Sequence, residues 1–258
     1  MAVVRTDDWL KVDFDNPESL CGRLPFMKKE QNGSLYRYLR KFGMYRPNPV
    51  CRRVYNNLAE DNYWEKSAEC FEKYKKKWEG PDVPIYIFPI DSGYMRAGNQ
   101  KSGVTFLEGI VLFLSPLDDI KELESLIVHE YHHACRMKVQ KKNPQQYNLL
   151  DSMVLEGLAE YMVEVECGKQ YIGKWSESLN QEEWPRWWRE HAVKNLKVSR
   201  EDRIHDKLLF GGGKYPVLLG YILGYQLVKR YAEGKNFSAK ASFFLESEKI
   251  TKYLKFST

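Results

Sequence analysis

The segment His129-Glu130-Tyr131-His132-His133 constrains the fold more than any other, because its chemistry requires a helix. Three of the chain's five histidines lie in these five residues, with the spacing H-E-x-x-H. On an α-helix, residues four apart lie about 40° apart around the axis and one turn along it. The imidazoles of His129 and His133 can therefore bind one metal ion, for which zinc is the best candidate. Glu130 projects about 100° from His129, so its carboxylate can reach a water molecule on the metal without binding the metal itself.

The residues on either side of this motif predict the helix that it requires. Ser115-Pro116-Leu117-Asp118 offers capping oxygens and a proline near a helix start. Apolar residues then follow at helical spacing, which predicts one buried stripe: Ile120, Leu123, Ile127, Ala134 and Met137. The helix should end in the basic and polar stretch before Pro144. His132 lies on the other side of His129, and we expect it to be a surface or hydrogen-bonding histidine rather than a ligand.

A catalytic zinc ion needs a third protein ligand and one open position. Residues 149–164 have the pattern of a second helix, far enough after His133 for the chain to turn and return antiparallel to the first. Glu156 and Glu160 share one face of this helix, and Glu156 is bordered by apolar residues, where a carboxylate is costly unless it is paired or metal-bound. We expect Glu156 to be the third ligand and Glu160 to accept a hydrogen bond from a ligand histidine. The alternative is two surface glutamates on an amphipathic helix.

The string HEYHH followed by LEGLAEYMVE resembles the gluzincin superfamily of zinc peptidases. This resemblance implies one zinc ion per chain, held by His129, His133 and Glu156. The segment Tyr221-Ile222-Leu223-Gly224 is similar to the Y-x-x-G stretch of the aminopeptidase branch, which implies that the hydroxyl of Tyr221 stabilises an oxyanion. Two nearby tyrosines, Tyr215 and Tyr225, are alternatives for this role.

As a whole, the chain most resembles a bacterial family described as predicted zinc-dependent proteases, with matching motifs over roughly residues 103–230. It departs from the aminopeptidase branch at two places. Leu155 replaces the asparagine that precedes the ligand glutamate there, and no G-x-M-E-N motif precedes the first helix, where only Glu108 lies nearby. Endopeptidase and exopeptidase specificities therefore both stay open.

Composition and charge exclude several other classes of protein. With 258 residues, 43% of them hydrophobic, the chain can form one large domain or two small ones. Its 40 basic and 35 acidic residues give a net charge of +5, which is too mild and dispersed for a nucleic-acid-binding protein. The best candidate for a membrane span, Val217 to Val228, is far shorter than the roughly 20 residues required. We therefore expect a buried helix there, packed closely through Gly220 and Gly224, and no membrane partner.

The cysteines and the N-terminus predict a cytoplasmic protein. The five cysteines are odd in number, widely spread and without a C-x-x-C pair, as expected of reduced thiols: Cys21, Cys51, Cys70, Cys135 and Cys167. The N-terminal segment turns polar too soon for the apolar core of a signal peptide.

The order of the segments predicts an α+β, mainly helical fold, with a small mixed β-sheet packed on the H-E-x-x-H helix and a helical C-terminal part, as in zincins. Residues 1–80 are expected to form an N-terminal helical region, with its clearest helix from Asn56 to Trp78. Residues 81–170 would form the zincin core, with strands at 83–89, 104–107 and 110–114 and both site helices. Residues 171–258 would form a C-terminal helical region that completes the active site. The gluzincin resemblance implies that strand 110–114 is an edge strand that pairs with an extended peptide substrate.

Together these features predict a zinc peptidase acting on peptides or proteins. Glu130 would act as general base on a zinc-activated water and then protonate the leaving amine. Tyr221 would donate a hydrogen bond to the developing oxyanion. Two alternatives stay open: a non-catalytic zinc-binding, regulatory or chaperone-like protein on the same scaffold, and a zinc hydrolase of a non-peptide bond.

Overall fold

A computed structural model describes residues 2–26 and 32–253. It is 62% helical with a small three-stranded mixed sheet, which confirms the predicted α+β, mainly helical class. The helices and strands in chain order are α1 (Thr6–Asp13), α2 (Pro17–Cys21), α3 (Asn32–Leu39), α4 (Pro49–Glu60), α5 (Tyr63–Trp78), β1 (Ile85–Pro89), α6 (Ser92–Arg96), β2 (Lys101–Phe106), β3 (Gly109–Leu114), α7 (Lys121–Gln140), α8 (Leu149–Cys167), α9 (Glu183–Trp187), α10 (Arg203–Leu209), α11 (Leu219–Ala232), α12 (Ala239–Phe244) and α13 (Ser247–Tyr253).

The chain divides into two compact units, Met1–Ala134 and Cys135–Thr258. The division into three regions that the sequence suggests stays a prediction. Within the described residues, no helix is both long and apolar enough to cross a membrane.

The sheet of the first unit has the strand order β1-β3-β2, so β3 is its central strand. β3 pairs in parallel with β1 and antiparallel with β2, and all six of its residues are buried. The prediction that strand 110–114 lies at an edge is therefore wrong. A continuously apolar strand such as Gly109–Leu114 is buried on both faces, which favours the centre of a sheet. The antiparallel edge is β2, whose residues are all half-buried.

The single helix predicted from Asn56 to Trp78 is two helices in the structure, α4 and α5. Between them Asn62 adopts the left-handed conformation, with φ of 56°, which asparagine tolerates better than most residues. The backbone therefore changes direction at a point that helical periodicity alone does not reveal.

Helix α7 begins at Lys121, later than the predicted start near Ser115–Asp118. The backbone N–H and the hydroxyl of Ser115 donate to the carbonyl of Gln100, which extends the strand pairing past β3. Asp119 accepts from the backbone N–H of Lys121 at 2.8 Å and so marks the helix start. Ile120 consequently lies outside the helix and is 49% exposed, whereas the other four residues of the predicted stripe are buried.

The start of α7 is tied to α5 by charged hydrogen bonds. The Glu124 carboxylate contacts Lys121 at 2.7 Å, Lys73 at 2.7 Å and the hydroxyl of Tyr74 at 2.5 Å. Burial by itself would raise the pKa of Glu124, but these hydrogen bonds outweigh it and lower that pKa to about 2. The carboxylate is therefore ionised at neutral pH and holds the N-terminal turn of the helix in place.

In the second unit, α8 and α11 touch backbone to backbone. A Cβ atom added to Gly224 would lie 1.9 Å from the carbonyl oxygen of Met153, and one added to Gly157 would lie 2.2 Å from the carbonyl carbon of Gly224. The close packing predicted at Gly224 is thus confirmed, in a helix that begins at Leu219 rather than Val217. Side chains within one turn of these glycines leave their helices close to the crossing point.

Candidate metal and catalytic site

His129 and His133 lie on consecutive turns of α7, as their spacing predicts. Their rings meet edge to face, with centroids 4.7 Å apart and planes at 87°. His129 is half-buried, and His133 is 6% exposed. The helix therefore presents two imidazoles side by side in a largely desolvated position, where a neutral imidazole is a good metal ligand.

Glu130, between these histidines, is in contact with strand β2. Its side chain is buried, and its Oε2 accepts a hydrogen bond from the hydroxyl of Thr105 at 2.6 Å. The same hydroxyl lies 3.0 Å from the backbone carbonyl oxygen of Glu130. A Cβ atom added to Gly103 would lie 2.6 Å from Glu130 Oε1 and 2.7 Å from its Cδ. The carboxylate thus occupies the space that a side chain at position 103 would need.

His132 does not lie on the helix surface, which is one of the two alternatives predicted for it. It is fully buried and meets the indole of Trp78 edge to face, with ring centroids 6.1 Å apart. The surface alternative is wrong because α7 is covered on this side too, by the end of α5, and the hydrogen-bonding alternative stays a prediction.

Helix α8 carries the two glutamates predicted from the sequence. Asn148 and Asp151 form a capping box at its start, where the side chain of each accepts from the backbone N–H of the other. Glu156 is half-buried and directly precedes Gly157, at the crossing with α11. Glu160 is buried one turn later and accepts a hydrogen bond from the backbone N–H of Gly173. Its predicted contact with a ligand histidine stays a prediction.

The three predicted metal ligands come together in the structure. One side-chain ligand atom from each of His129, His133 and Glu156 lies within 4.8 Å of the other two. Two imidazole nitrogens and one carboxylate oxygen are ligand types that zinc prefers, and three protein ligands leave the fourth position open, as in catalytic zinc sites. The residues therefore fit a zinc ion.

The three candidate tyrosines have different surroundings. Tyr221, one turn before Gly224 on α11, is half-buried and meets Trp175 edge to face with ring centroids 5.5 Å apart. The hydroxyl of Tyr225 donates to the carboxylate of Glu164 at 2.7 Å, and burial raises the pKa of Tyr225. Tyr215 is half-buried, and its ring meets that of His191 edge to face at 5.4 Å. The Tyr225 hydroxyl therefore already has a carboxylate acceptor, and the role predicted for Tyr221, with Tyr215 as an alternative, stays a prediction.

Residues 173–176 form a segment that contacts Tyr221 through Trp175 and is held by hydrogen bonds with α8 and α11. Glu160 on α8 accepts from Gly173, and Gln226 on α11 donates to the carbonyl of Ser176 at 3.3 Å. A Cβ atom added to Gly173 would lie 2.1 Å from the indole nitrogen of Trp175, so this ring lies directly against the glycine. Glu160 thereby takes part in holding the aromatic partner of Tyr221.

A serine–histidine–aspartate arrangement also occurs in the second unit. Ser152 Oγ lies 3.0 Å from His205 Nε2, and His205 Nδ1 lies 2.9 Å from Asp206 Oδ1. Ser152 is 5% exposed and His205 is fully buried, so a substrate has no access to either. This arrangement satisfies buried polar groups and is not a second catalytic site.

Gly103 and Thr105 were not singled out from the sequence. Residues 99–103 have the composition of a turn, and the sequence pattern predicts a strand only from Val104. The available signal is their spacing, because residues two apart in a strand point to the same face of the sheet. Which face meets α7, and at which residue, follows only from the packing of the sheet against the helix.

The chain is similar to a family whose activity is described as a prediction and to a relative described as uncharacterized. The model of the family described as "Predicted Zn-dependent protease (DUF2268)" matches residues 63–252, which include all five predicted site residues. The "Uncharacterized protein YjaZ" of Bacillus subtilis (strain 168) is 29% identical over 255 residues, which cover 96% of this chain and 97% of that protein. No solved structure matches the chain.

Proposed function

The chain belongs to the family described as predicted Zn-dependent proteases, and we propose on that premise that it is a peptidase of the gluzincin type with one zinc ion per chain. The observation that carries the proposal is the meeting of His129, His133 and Glu156, whose ligand atoms lie within 4.8 Å of one another. We propose that these three residues hold the zinc. A bound zinc ion would supply a Lewis acid that polarises a carbonyl group and lowers the pKa of water.

In the proposed reaction Glu130 is the general base. It lies next to a ligand histidine on the same helix, and its carboxylate is held on one side by Thr105. Glu130 would take a proton from the attacking water and deliver it to the leaving amine. Its burial excludes bulk water, which strengthens its electrostatic interactions with a reacting group.

The proposed substrate is an extended peptide that pairs with strand β2. Among the described residues β2 forms the antiparallel edge of the sheet, and it also carries the two residues that contact Glu130. A peptide added to a sheet edge is bound through its main chain, whatever its side chains. Such binding would bring a scissile bond close to the base. Tyr221 would then donate to the developing oxyanion.

Metal analysis and peptide hydrolysis of the purified full-length protein test this function together. Wild type should contain about one zinc per chain and cleave members of a fluorogenic peptide library. His133→Ala should lose most of its zinc, because two protein ligands make a poor zinc site. Glu130→Gln should keep the zinc and lose activity by roughly a hundredfold or more, since Glu130 acts as a base and not as a ligand.

Three results would contradict the proposal. Stoichiometric zinc in His133→Ala would remove that histidine from the metal site. Loss of zinc in Glu130→Gln would make Glu130 a ligand. Zinc-loaded wild type that cleaves no peptide in the library would favour a binding protein, or a hydrolase of another bond.

A further inference from the structure

We infer that Thr105 and Gly103 of strand β2 position the carboxylate of Glu130: Thr105 by a hydrogen bond to one carboxylate oxygen, and Gly103 by leaving room for the other. Both act through Glu130, so they are positioning residues and not catalytic ones. The catalytic consequence rests on the proposed function. The contact itself can be tested without any activity.

The first step of the argument is the hydrogen bond. The Thr105 hydroxyl lies 2.6 Å from Glu130 Oε2, within the 2.5–2.7 Å typical of hydroxyl–carboxylate hydrogen bonds. A carboxylate on a three-bond side chain can rotate about each of those bonds, and each rotation moves its oxygens by ångströms. A fixed donor on one oxygen restricts these rotations and leaves the second oxygen, Oε1, to accept a proton from another group.

The second step concerns the space around Oε1. An added Cβ at Gly103 would lie within 2.7 Å of three Glu130 atoms, namely Oε1, Cδ and Cγ. Real Cβ contacts are not this short, so any larger residue at 103 would push the carboxylate away. Glycine is required here by the close approach of a side chain, because Gly103 does not have the positive φ that marks several other glycines in this chain.

The third step is that β2 is held against α7 at regular intervals. Lys101 donates to the carbonyl of Glu122 at 2.8 Å and to the hydroxyl of Ser125, and Thr105 contacts Glu130. Residues 101, 103 and 105 alternate along the strand, so all three point to the face that meets the helix. Gly103 pairs with Leu112 of the buried strand β3. This register fixes the positions of residues 101, 103 and 105 along the axis of α7. The strand is thus a rigid support for the base.

Kinetics of strand variants test the positioning. Thr105→Val keeps the shape of the side chain and removes the hydroxyl, so kcat should fall roughly 10- to 100-fold with little change in KM. Thr105→Ser keeps the hydroxyl and should stay within about threefold of wild type. Gly103→Ala should lower kcat at least as much as Thr105→Val, since it displaces the carboxylate by steric contact. All three variants should bind zinc as wild type does.

Thermal unfolding of the full chain in excess chelator gives a readout that needs neither metal nor activity. Thr105→Val and Gly103→Ala should each lower Tm by several degrees when Glu130 is present. In a Glu130→Ala background the same two changes should have much smaller effects, because the carboxylate that they disturb is absent. The backbone carbonyl of residue 130 remains, so the comparison isolates the side chain.

The outcomes separate this inference from the proposed function. Additive Tm changes would show that neither residue is coupled to the Glu130 side chain and would overturn the inference. An active wild type with an unchanged kcat in Thr105→Val would also overturn it. Coupled Tm changes in a protein that hydrolyses no peptide would overturn the proposed function and, with it, the catalytic meaning of the contact.

Discussion

At the scale of single residues, Glu156 and Glu160 have different surroundings although they lie one turn apart on α8. Glu156 is half-buried and lies with His129 and His133, whereas Glu160 is buried and accepts from the backbone of Gly173. The two carboxylates are chemically identical, so amide variants at the two positions compare their surroundings directly. Each variant is the matched control of the other.

We expect Glu156→Gln to weaken zinc binding more than Glu160→Gln does, measured by competition with a chromogenic chelator. A ligand carboxylate contributes charge and a bond, whereas loss of a supporting group typically costs about 10–100-fold in affinity or activity. Glu160→Gln should also disturb the loop that carries Trp175, which tryptophan fluorescence can report. Weaker zinc binding in Glu160→Gln than in Glu156→Gln would move the ligand one turn along α8.

Tyr221→Phe should lower kcat by roughly 10²–10³ and leave KM and zinc content almost unchanged, because an oxyanion donor acts mainly in the transition state. Phenylalanine keeps the ring against Trp175, so the midpoint of thermal unfolding serves as a control for packing. Tyr215→Phe is the matched variant, since Tyr215 is also half-buried among aromatic rings. An active Tyr221→Phe beside an inactive Tyr215→Phe would assign the role to Tyr215.

The residues that the sequence could predict are those whose spacing on one helix carries the geometry. His129, Glu130 and His133 need only the period of α7 for their relative positions. Glu156 needed a second signal, the cost of a carboxylate among apolar residues. For Thr105 the strand alternation predicts only that it shares a face with Gly103, because its partner lies 25 residues away on another element. Its role depends on the packing of β2 against α7, which no local pattern encodes.

At the scale of elements, the glycines at the α8–α11 crossing set how closely the two helices approach. Gly224→Ala should destabilise the protein by about 3 kcal/mol or more in urea unfolding, because the added methyl would meet backbone atoms of Met153 that cannot move aside independently. Gly33→Ala is a suitable control. It lies in helix α3, where an added Cβ would be 3.5 Å from the nearest side-chain atom, so it should be neutral or stabilise by about 0.5–1 kcal/mol.

A Gly224→Ala protein as stable as Gly33→Ala would show that the helices can separate without cost. Zinc content gives a second readout of the same change. Glu156 directly precedes Gly157 at the crossing, so a shift of α8 should weaken metal binding as well as stability.

The sequence predicts the positions of helices and strands well where the apolar periodicity is strong. It predicts them poorly where contacts with neighbouring segments determine the helix start or the strand order. The two site helices were found, but the start of α7 was placed too early, because Ser115 continues the strand pairing through Gln100. The gluzincin resemblance implies an edge strand at 110–114, but in the structure β3 is the buried central strand of the sheet. Strand order depends on which segments meet in space, and the sequence pattern of a single strand does not contain that information.

At the scale of the whole molecule, bound zinc should contribute to stability, because a ligand that binds only the folded state shifts the unfolding equilibrium. Excess chelator should lower the Tm of the zinc-loaded protein by roughly 5–10 °C, for zinc at about 100 times its Kd. His133→Ala should show little response to chelator. If chelator lowered the Tm of the wild type and of His133→Ala equally, the stabilising metal would bind at a site that does not include His133.

Fold class was predictable for the whole chain because helix and strand content follow from periodicity. The packing of Arg136 could not be predicted from the sequence. This buried guanidinium, one turn after His132 on α7, donates to the carbonyls of Ser242 and Phe243, more than a hundred residues further along the chain. Burial lowers the pKa of Arg136 to about 10, still far above neutral pH, so the group stays charged and depends on those carbonyls.

The absence of a side chain at Gly103 has a consequence for how such a protein can diverge. One nucleotide change converts a glycine codon to an alanine codon, and the added methyl would press on Glu130, which is not one of the proposed metal ligands. A descendant with that change would keep its metal and, at somewhat lower stability, its fold, but it would transfer the proton more slowly. Natural selection for binding alone would then no longer oppose further change at Glu130. Position 103 is therefore where we expect non-hydrolytic relatives to differ first.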